Sequence, residues 1–135
     1  MYLEKNKIKS FSSLDPASIE ASSLPYDFPR LIESLKRERS WKKGDLASMI
    51  LLKSPAKRIV LALLHEGTEV SSCQSDDSTT FRVLEGKINI RMEKNSCLLN
   101  KGEVFTLREK LKYVMDSVAE TALLLTLETE NKRDS

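Results

Sequence analysis

The chain has 135 residues, of which 40% are hydrophobic and 31% charged, so it is expected to form one globular domain rather than a collagen-like, disordered or disulfide-scaffold protein. Its net charge of +2, from 22 basic and 20 acidic residues, gives no general reason to bind a polyanion. With a single histidine, His65, the chain excludes any site built from two or more of its own histidines.

The sequence predicts a cytoplasmic protein with no membrane partner. Its longest apolar run, residues 59–64, is much shorter than the about 20 residues that cross a bilayer. Residues 1–9 lack the apolar core of a signal peptide. Cys73 and Cys97 are too few for a secreted disulfide framework, so we expect reduced thiols, with a single disulfide as the alternative.

The first unit in chain order is a loosely structured N-terminal arm over residues 1–26. It is polar, rich in serine and contains two prolines, Pro16 and Pro25. Asp15 and Pro16 could begin a short helical turn, because Asp caps helices and Pro fits the first helical position. We expect the rest of the arm to be held weakly.

Residues 27–45 are predicted to hold an amphipathic helix, over 27–40, that packs on the domain that follows. Asp27 is a candidate N-cap, Pro29 fits the first turn, and Gly44 suits the end of the segment. The apolar side chains of one helix face are Leu31, Ile32 and Leu35. Such a stripe must be covered by another part of the protein.

The helical segment is also basic, with six basic and two acidic residues between 30 and 43. A positive helix can bind nucleic acid. No aromatic platform or known binding motif accompanies these charges, however. We therefore interpret them as a solvated helix face and predict no nucleic-acid partner.

Residues 46–128 change to a strand pattern, and residues 129–135 form a charged tail that we expect to fray. Seven to nine short apolar or alternating segments, separated by turn residues, predict an all-β fold, a small jelly-roll β-barrel. The clearest strand spans residues 87–92, where polar and apolar side chains alternate. The segment at 59–64 is apolar on both faces, so one face can meet the barrel interior, and the helix or a second subunit must cover the other. We predict a homodimer.

Glycine positions in this region resemble the cupin superfamily. Counted from Gly67, the spacing of the first cupin motif ends at Gly86, within Val83-Leu84-Glu85-Gly86, and the second motif begins at Gly102-Glu103. Trp41 followed by Gly44, and the turn Lys53-Ser54-Pro55, also resemble small bacterial single-domain cupins. The resemblance covers residues 28–128 and implies a cupin-type barrel.

The resemblance also marks where cupins hold a metal ion. The four ligand positions of the motifs are occupied here by Cys73, Ser75, Thr79 and Tyr113. A cupin metal site needs imidazoles and a carboxylate, whereas these residues offer a thiol, two hydroxyls and a phenol. We therefore predict no metal and no cofactor. A metal-free epimerase with an inward catalytic histidine is also disfavoured.

The same alignment places a candidate ligand pocket inside the barrel. Its predicted lining consists of Cys73, Ser75, Thr79, Phe81, Tyr113 and Met115. Apolar walls with a few hydroxyls suit a small neutral organic molecule, although these side chains could instead fill the space of a lost metal site.

Three functions remain open from the sequence. The first is a non-enzymatic, metal-free protein that binds a small molecule or a protein partner. The second is an enzyme that uses Cys73 or Tyr113 together with a neighbouring titratable group. The third is a structural dimerisation module, favoured if the barrel centre is packed solid.

Overall fold

The computed structural model describes residues 7–8, 25–74 and 77–129. Most of the predicted arm and residues 130–135 of the predicted tail lie outside this part of the chain, as does Ser75. In chain order the elements are β1 (Lys7–Ile8), α1 (Phe28–Lys36), α2 (Arg39–Lys42), β2 (Ala47–Lys53), β3 (Lys57–Leu64), β4 (Glu69–Gln74), β5 (Ser78–Glu85), β6 (Lys87–Met92), β7 (Ser96–Asn100), β8 (Val104–Leu107), β9 (Lys112–Ser117) and β10 (Thr121–Glu128).

The strands of the described residues form two five-stranded sheets. The first sheet has the order β2-β3-β10-β5-β8 and the second sheet the order β1-β4-β9-β6-β7. Between most successive strands the chain crosses from one sheet to the other, as in a jelly roll. Strand pairs are antiparallel except for β1 and β4. The predicted all-β jelly-roll fold is confirmed.

The main hydrophobic core lies between the two sheets. It joins inward side chains such as Val60, Phe81 and Leu125 of the first sheet to Ile90 and Met115 of the second sheet. The alternation predicted for β6 is confirmed, because its isoleucines are buried and its basic residues are not. One face of this strand therefore belongs to the core and the other faces solvent.

The predicted single helix over 27–40 is wrong in one respect, because the structure has two helices. The α1 helix begins as predicted: the Asp27 carboxylate accepts a hydrogen bond from the backbone N–H of Arg30 at 3.3 Å. It ends at Lys36, and Glu38 then adopts extended backbone angles, which starts α2 in a new direction. Neither Gly nor Pro marks this break in the sequence, where residues 36–40 are all polar, so no local signal indicates the end of the first helix.

The two helices cover the outer face of the first sheet. Leu35 and Trp41 pack with Leu61 and Leu63 of β3 in a second hydrophobic cluster. The Tyr26 hydroxyl donates to a backbone carbonyl of β2 at 2.9 Å and ties the start of the helical segment to the sheet edge. The outward apolar side chains of β3 are thus covered within one chain.

Candidate functional site

A β-bulge in β4 positions the first predicted site residue. Val70 pairs with Met115 on β9 and Cys73 pairs with Tyr113, so two residues of β4 stand opposite one residue of β9. Since side chains alternate along a strand, Val70 and Cys73 would otherwise face opposite sides of the sheet. The bulge lets both side chains enter the core, where both are buried.

Cys73, Phe81 and Tyr113 come together from three different strands. The rings of Phe81 and Tyr113 meet edge to face, with centroids 5.4 Å apart and an interplanar angle of 89°. The Cys73 thiol is hydrogen-bonded to the Tyr113 side chain. It also lies 3.6 Å from the carbonyl oxygen of Val70, to which it donates. Only 1% of Cys73 and 4% of Tyr113 are exposed to solvent.

The environment of Cys73 keeps its thiol protonated. Burial raises the pKa of the Cys73 thiol from its usual 9.0 to about 12, and the hydrogen bond from Tyr113 offsets only part of this rise. The thiolate is the form that attacks substrates and binds metals. At neutral pH the Cys73 sulfur is therefore poorly suited to act as a nucleophile.

Thr79 and Met115 complete the described part of the predicted pocket. Both are fully buried, and Met115 belongs to the same core cluster as Cys73, Phe81 and Tyr113. The structure thus brings together five of the six predicted residues near one end of the sandwich, which we call the tyrosine end. The sixth, Ser75, lies outside the described residues. The use of this cluster to hold a ligand stays a prediction.

A surface groove of about 550 Å³ reaches the tyrosine end. Tyr113 lines it together with Arg91, Met92 and Lys112 of the second sheet. A volume of this size is within the range of small-molecule sites. This groove therefore brings solvent close to the buried cluster at the tyrosine end.

The opposite end of the sandwich, which we call the glycine end, is organised by hydrogen bonds. The Ser117 hydroxyl donates to the carbonyl oxygen of His65 at 2.6 Å and accepts from the backbone N–H of Thr68 at 2.9 Å. The Thr121 hydroxyl accepts from the backbone N–H of Lys87 at 3.1 Å. These bonds satisfy backbone groups where the strands of both sheets turn.

Gly86 allows the closest approach of two chain segments at the glycine end. Its φ is +92°, and an added Cβ would overlap the carbonyl oxygen of Glu120 and the Thr121 side chain. Gly67 and Gly102 also have positive φ, yet an added Cβ would meet nothing within 4 Å at either position. All three glycines thus have the positive φ that glycine adopts more easily than other residues, and Gly86 carries a packing requirement in addition.

His65, the single histidine, is far from the cysteine. Its ring stacks on Trp41 with a centroid distance of 3.4 Å, and its Nε2 lies 3.0 Å from the Trp41 carbonyl oxygen. It also lies beside Ser117, four residues along β9 from Tyr113, which is about 13 Å of extended strand. His65 therefore cannot serve as the base that would activate Cys73. The sequence pattern gave no signal for the stack on Trp41.

The donor set at the tyrosine end does not fit a metal ion. Cys73 offers one thiol, and Thr79 and Tyr113 add a hydroxyl and a phenol, whereas a transition-metal site of this kind needs imidazoles and a carboxylate. Among residues 7–8, 25–74 and 77–129, no three His, Cys, Asp or Glu side chains converge as metal ligands do. Cys73 and Cys97 are both free thiols, so the alternative of a disulfide between them is wrong.

A larger groove, of about 600 Å³, lies at the ends of the strands of the first sheet. Its polar lining includes Lys57, Asp77, Ser78, Thr106, Arg108 and Glu128. Sequence reasoning did not identify this groove, because its residues come from separate turns and strand ends. The charged residues of the β2–β3 and β8–β9 turns were the available signal.

Comparisons with known proteins agree with the fold. No protein-family model and no curated protein sequence matches the chain. Among solved structures, the chain resembles a cupin superfamily protein of Desulfitobacterium hafniense with a TM-score of 0.67 and 20% identity, covering 83% of this chain and 100% of that one. It resembles the cupin domain of Schizosaccharomyces pombe Cnp3 with a TM-score of 0.64 and 21% identity, covering 82% and 79% of the two chains.

An enzyme is also among the similar structures. The chain resembles a variant of salicylate 1,2-dioxygenase from Pseudoaminobacter salicylatoxidans with a TM-score of 0.65 and 18% identity, covering 76% of this chain but only 34% of the dioxygenase. Likenesses at these identities show the fold alone. The cupin resemblance predicted from the sequence is therefore confirmed at the level of the fold. Within the described part of the chain, no helix is long and apolar enough to cross a membrane.

Proposed function

We propose that this chain is a metal-independent, non-enzymatic protein with a cupin fold, and that its barrel binds a small neutral organic molecule at the tyrosine end. One observation carries the proposal. Where cupins place metal ligands, Cys73 and Tyr113 are hydrogen-bonded to each other, and the pKa of the Cys73 thiol is raised to about 12. A neutral, largely apolar cluster of this kind suits an uncharged ligand better than a cation or an oxyanion.

The site would recognise its ligand mainly by the shape of its apolar surface, and a few polar side chains would add hydrogen bonds. Phe81, Met115 and the Tyr113 ring offer apolar surface, and the hydroxyls of Thr79 and Tyr113 can exchange hydrogen bonds with a ligand. The groove beside Tyr113 gives an approach from solvent. Because Tyr113 is nearly buried, binding requires its side chain to move, which costs part of the binding energy.

An enzyme that uses Cys73 or Tyr113 is the second candidate. Such an enzyme needs a second titratable group close enough to take a proton. Tyr113 is the hydrogen-bond partner of Cys73 and lowers the pKa of the thiol, but burial outweighs this effect and leaves that pKa raised. This environment favours the binding proposal over the enzymatic one.

Homodimerisation in the cytoplasm remains part of the proposal as a prediction. It was inferred from the doubly apolar strand β3, whose outer face Leu35 and Trp41 cover within one chain. The helices therefore already cover the apolar face of β3 from which the sequence predicted a second subunit. Light scattering at micromolar concentration checks this prediction, and a monomer would contradict it. A dimer formed by a chain that retains no ligand would favour the third candidate, a structural dimerisation module.

The experiment that tests the proposal is native mass spectrometry of the purified, untagged chain, followed by release and identification of any retained molecule. We expect one small uncharged molecule per chain. The variant Tyr113→Ala, which alters the proposed site, should lose it. Cys97→Ser, which changes the other free thiol, should retain it.

Loss of the adduct in both variants would contradict the proposed location. A chain that retains nothing can be titrated with a library of small neutral compounds while its thermal unfolding is followed, since a ligand that binds only the folded state raises Tm. Absence of any Tm shift that depends on Tyr113 would contradict the proposed function.

A further inference from the structure

The larger groove at the strand ends of the first sheet, which we call the rim groove, is separate from the buried cluster at the tyrosine end. Its volume is about 600 Å³, and its charged lining consists of Lys57, Asp77, Arg108 and Glu128. Lys57 begins β3, Glu128 ends β10, and both stand opposite each other in the sheet. The groove is thus built where strands of one sheet end beside the β8–β9 turn.

A second groove adjoins the rim groove and extends its positive charge. It has a volume of about 330 Å³, shares Lys57 and Thr129 with the rim groove, and adds Lys53 and Arg58 of the β2–β3 hairpin. The Lys53 and Arg58 positions are direct partners in the hairpin. Basic side chains from two turns therefore line one continuous surface.

The charges of this surface do not cancel. Asp77 forms an ion pair with Lys110, whose nitrogen lies 3.6 Å from the carboxylate. In the part of the chain that the structure describes, four basic side chains of the two grooves make no ion pair within 4.0 Å. They are Lys53, Lys57, Arg58 and Arg108. Among the described residues that line the two grooves, Glu128 is the one carboxylate that opposes them outside the Asp77 pair. The net charge at the surface is positive, and it attracts anions.

We propose that the rim groove binds a small molecule that carries a phosphate monoester. The guanidinium of Arg108 presents a fork of donors that matches phosphate oxygens, and the ammonium of Lys57 supplies a second positive charge. The hydroxyls of Ser78 and Thr106, which also line the groove, can donate to the remaining oxygens. The Glu128 carboxylate accepts hydrogen bonds, so it suits a ligand that also bears hydroxyl groups.

This site does not depend on the proposed function of the barrel interior. The ligand of the interior is uncharged and contacts Phe81 and Tyr113, which do not line the rim groove. The anion contacts Lys57 and Arg108, which lie outside the core cluster of the tyrosine end. Each site can therefore fail its test without affecting the other.

Isothermal titration of the full chain with glycerol 2-phosphate, at constant ionic strength, tests the proposal. We expect saturable binding of one molecule per chain. The double variant Lys57→Gln, Arg108→Gln should weaken binding at least about tenfold, because two charge-assisted contacts are removed. Arg108→Gln alone should weaken it less.

The matched control is Arg82→Gln, which removes an exposed positive charge of β5 that does not line the groove. It should change the affinity by less than about twofold, because exposed charges outside the site are screened. Glycerol, which has no phosphate, should not compete. The proposal is overturned if glycerol 2-phosphate does not saturate, if Arg82→Gln weakens binding as much as the double variant, or if glycerol competes.

Discussion

The two ends of the sandwich are stabilised in different ways. At the glycine end, hydroxyls of Ser117 and Thr121 bind backbone groups, and Gly86 lets the turn before β10 approach closely. At the tyrosine end, Cys73 and Tyr113 pack against Phe81 with a hydrogen bond between neutral groups. The glycine end therefore resembles a fixed scaffold, whereas the tyrosine end holds the residues that the sequence resemblance aligns with the metal ligands of cupins.

This difference indicates which part of the chain the fold requires most and which part the proposed function uses. Backbone hydrogen bonds and a glycine with positive φ tolerate few substitutions. A buried cluster of neutral side chains tolerates replacements of similar volume and shape. We therefore expect substitutions at the glycine end to reduce stability more than conservative substitutions at the tyrosine end.

The largest effect is expected for Gly86→Ala. The new Cβ would overlap the Glu120 carbonyl oxygen and would force a positive φ on alanine. We expect the free energy of unfolding in urea to fall by more than about 3 kcal/mol. Gly102→Ala is the control, since its φ of +88° is similar but its Cβ meets nothing within 4 Å. It should cost about 1 kcal/mol. Equal losses would show that close approach at Gly86 is not required.

A smaller loss is expected for Thr121→Val, which keeps the side-chain shape and removes the hydroxyl. The backbone N–H of Lys87 then loses its acceptor, and the carbonyl of Ala119 loses its donor. Urea unfolding should show a loss of about 1–3 kcal/mol. Thr106→Val removes an exposed hydroxyl from β8 and should cost less than about 0.5 kcal/mol. If the two variants lose the same stability, the hydrogen bonds of Thr121 are not important for the glycine end.

The smallest effect concerns the pH dependence of the tyrosine end. Because the pKa of the Cys73 thiol is raised from 9.0 to about 12 in the folded chain, the unfolded chain loses this proton first as pH rises. The contribution of the protonated Cys73 thiol to the free energy of unfolding is therefore fully present below pH 9 and is lost between pH 9 and about 12. Between pH 8 and pH 10, the wild type should lose about 1 kcal/mol more than Cys73→Ser.

Cys97→Ser is the control for this pH dependence. Cys97 is the other free thiol and is only partly buried. Its variant should follow the wild type in urea unfolding at both pH values. A wild type that loses no more stability than Cys73→Ser would contradict a buried, protonated thiol at position 73.

Much of the fold could be predicted because it follows from local patterns. Alternation in β6 and the doubly apolar segment of β3 indicated a half-buried strand and a covered one, and the structure has both. The break between α1 and α2 could not be predicted, since Glu38 adopts its extended conformation without a Gly or Pro signal. Both helices pack on the first sheet, α1 through Leu35 and α2 through Trp41. Their positions therefore depend on this tertiary packing rather than on local helix propensity.

The candidate site could be predicted only in part. Motif spacing located Cys73 and Tyr113, although strand periodicity alone would not place Cys73 with Val70 in the core. The bulge that turns Cys73 inward depends on pairing with β9, which is distant in the sequence. The rim groove also depends on long-range pairing, because it joins Lys57 at the start of β3 to Glu128 at the end of β10.

The measurement that tests the central claim most directly is elemental analysis by mass spectrometry of the untagged chain, purified without chelators and then incubated with zinc, iron, nickel and manganese. The account predicts less than about one metal ion per ten chains after a desalting step, because among the described residues of the tyrosine end Cys73 alone is a strong ligand type, and one thiolate does not hold a metal ion. The account would be contradicted if the wild type bound about one metal ion per chain and if Cys73→Ser or Tyr113→Phe no longer bound it.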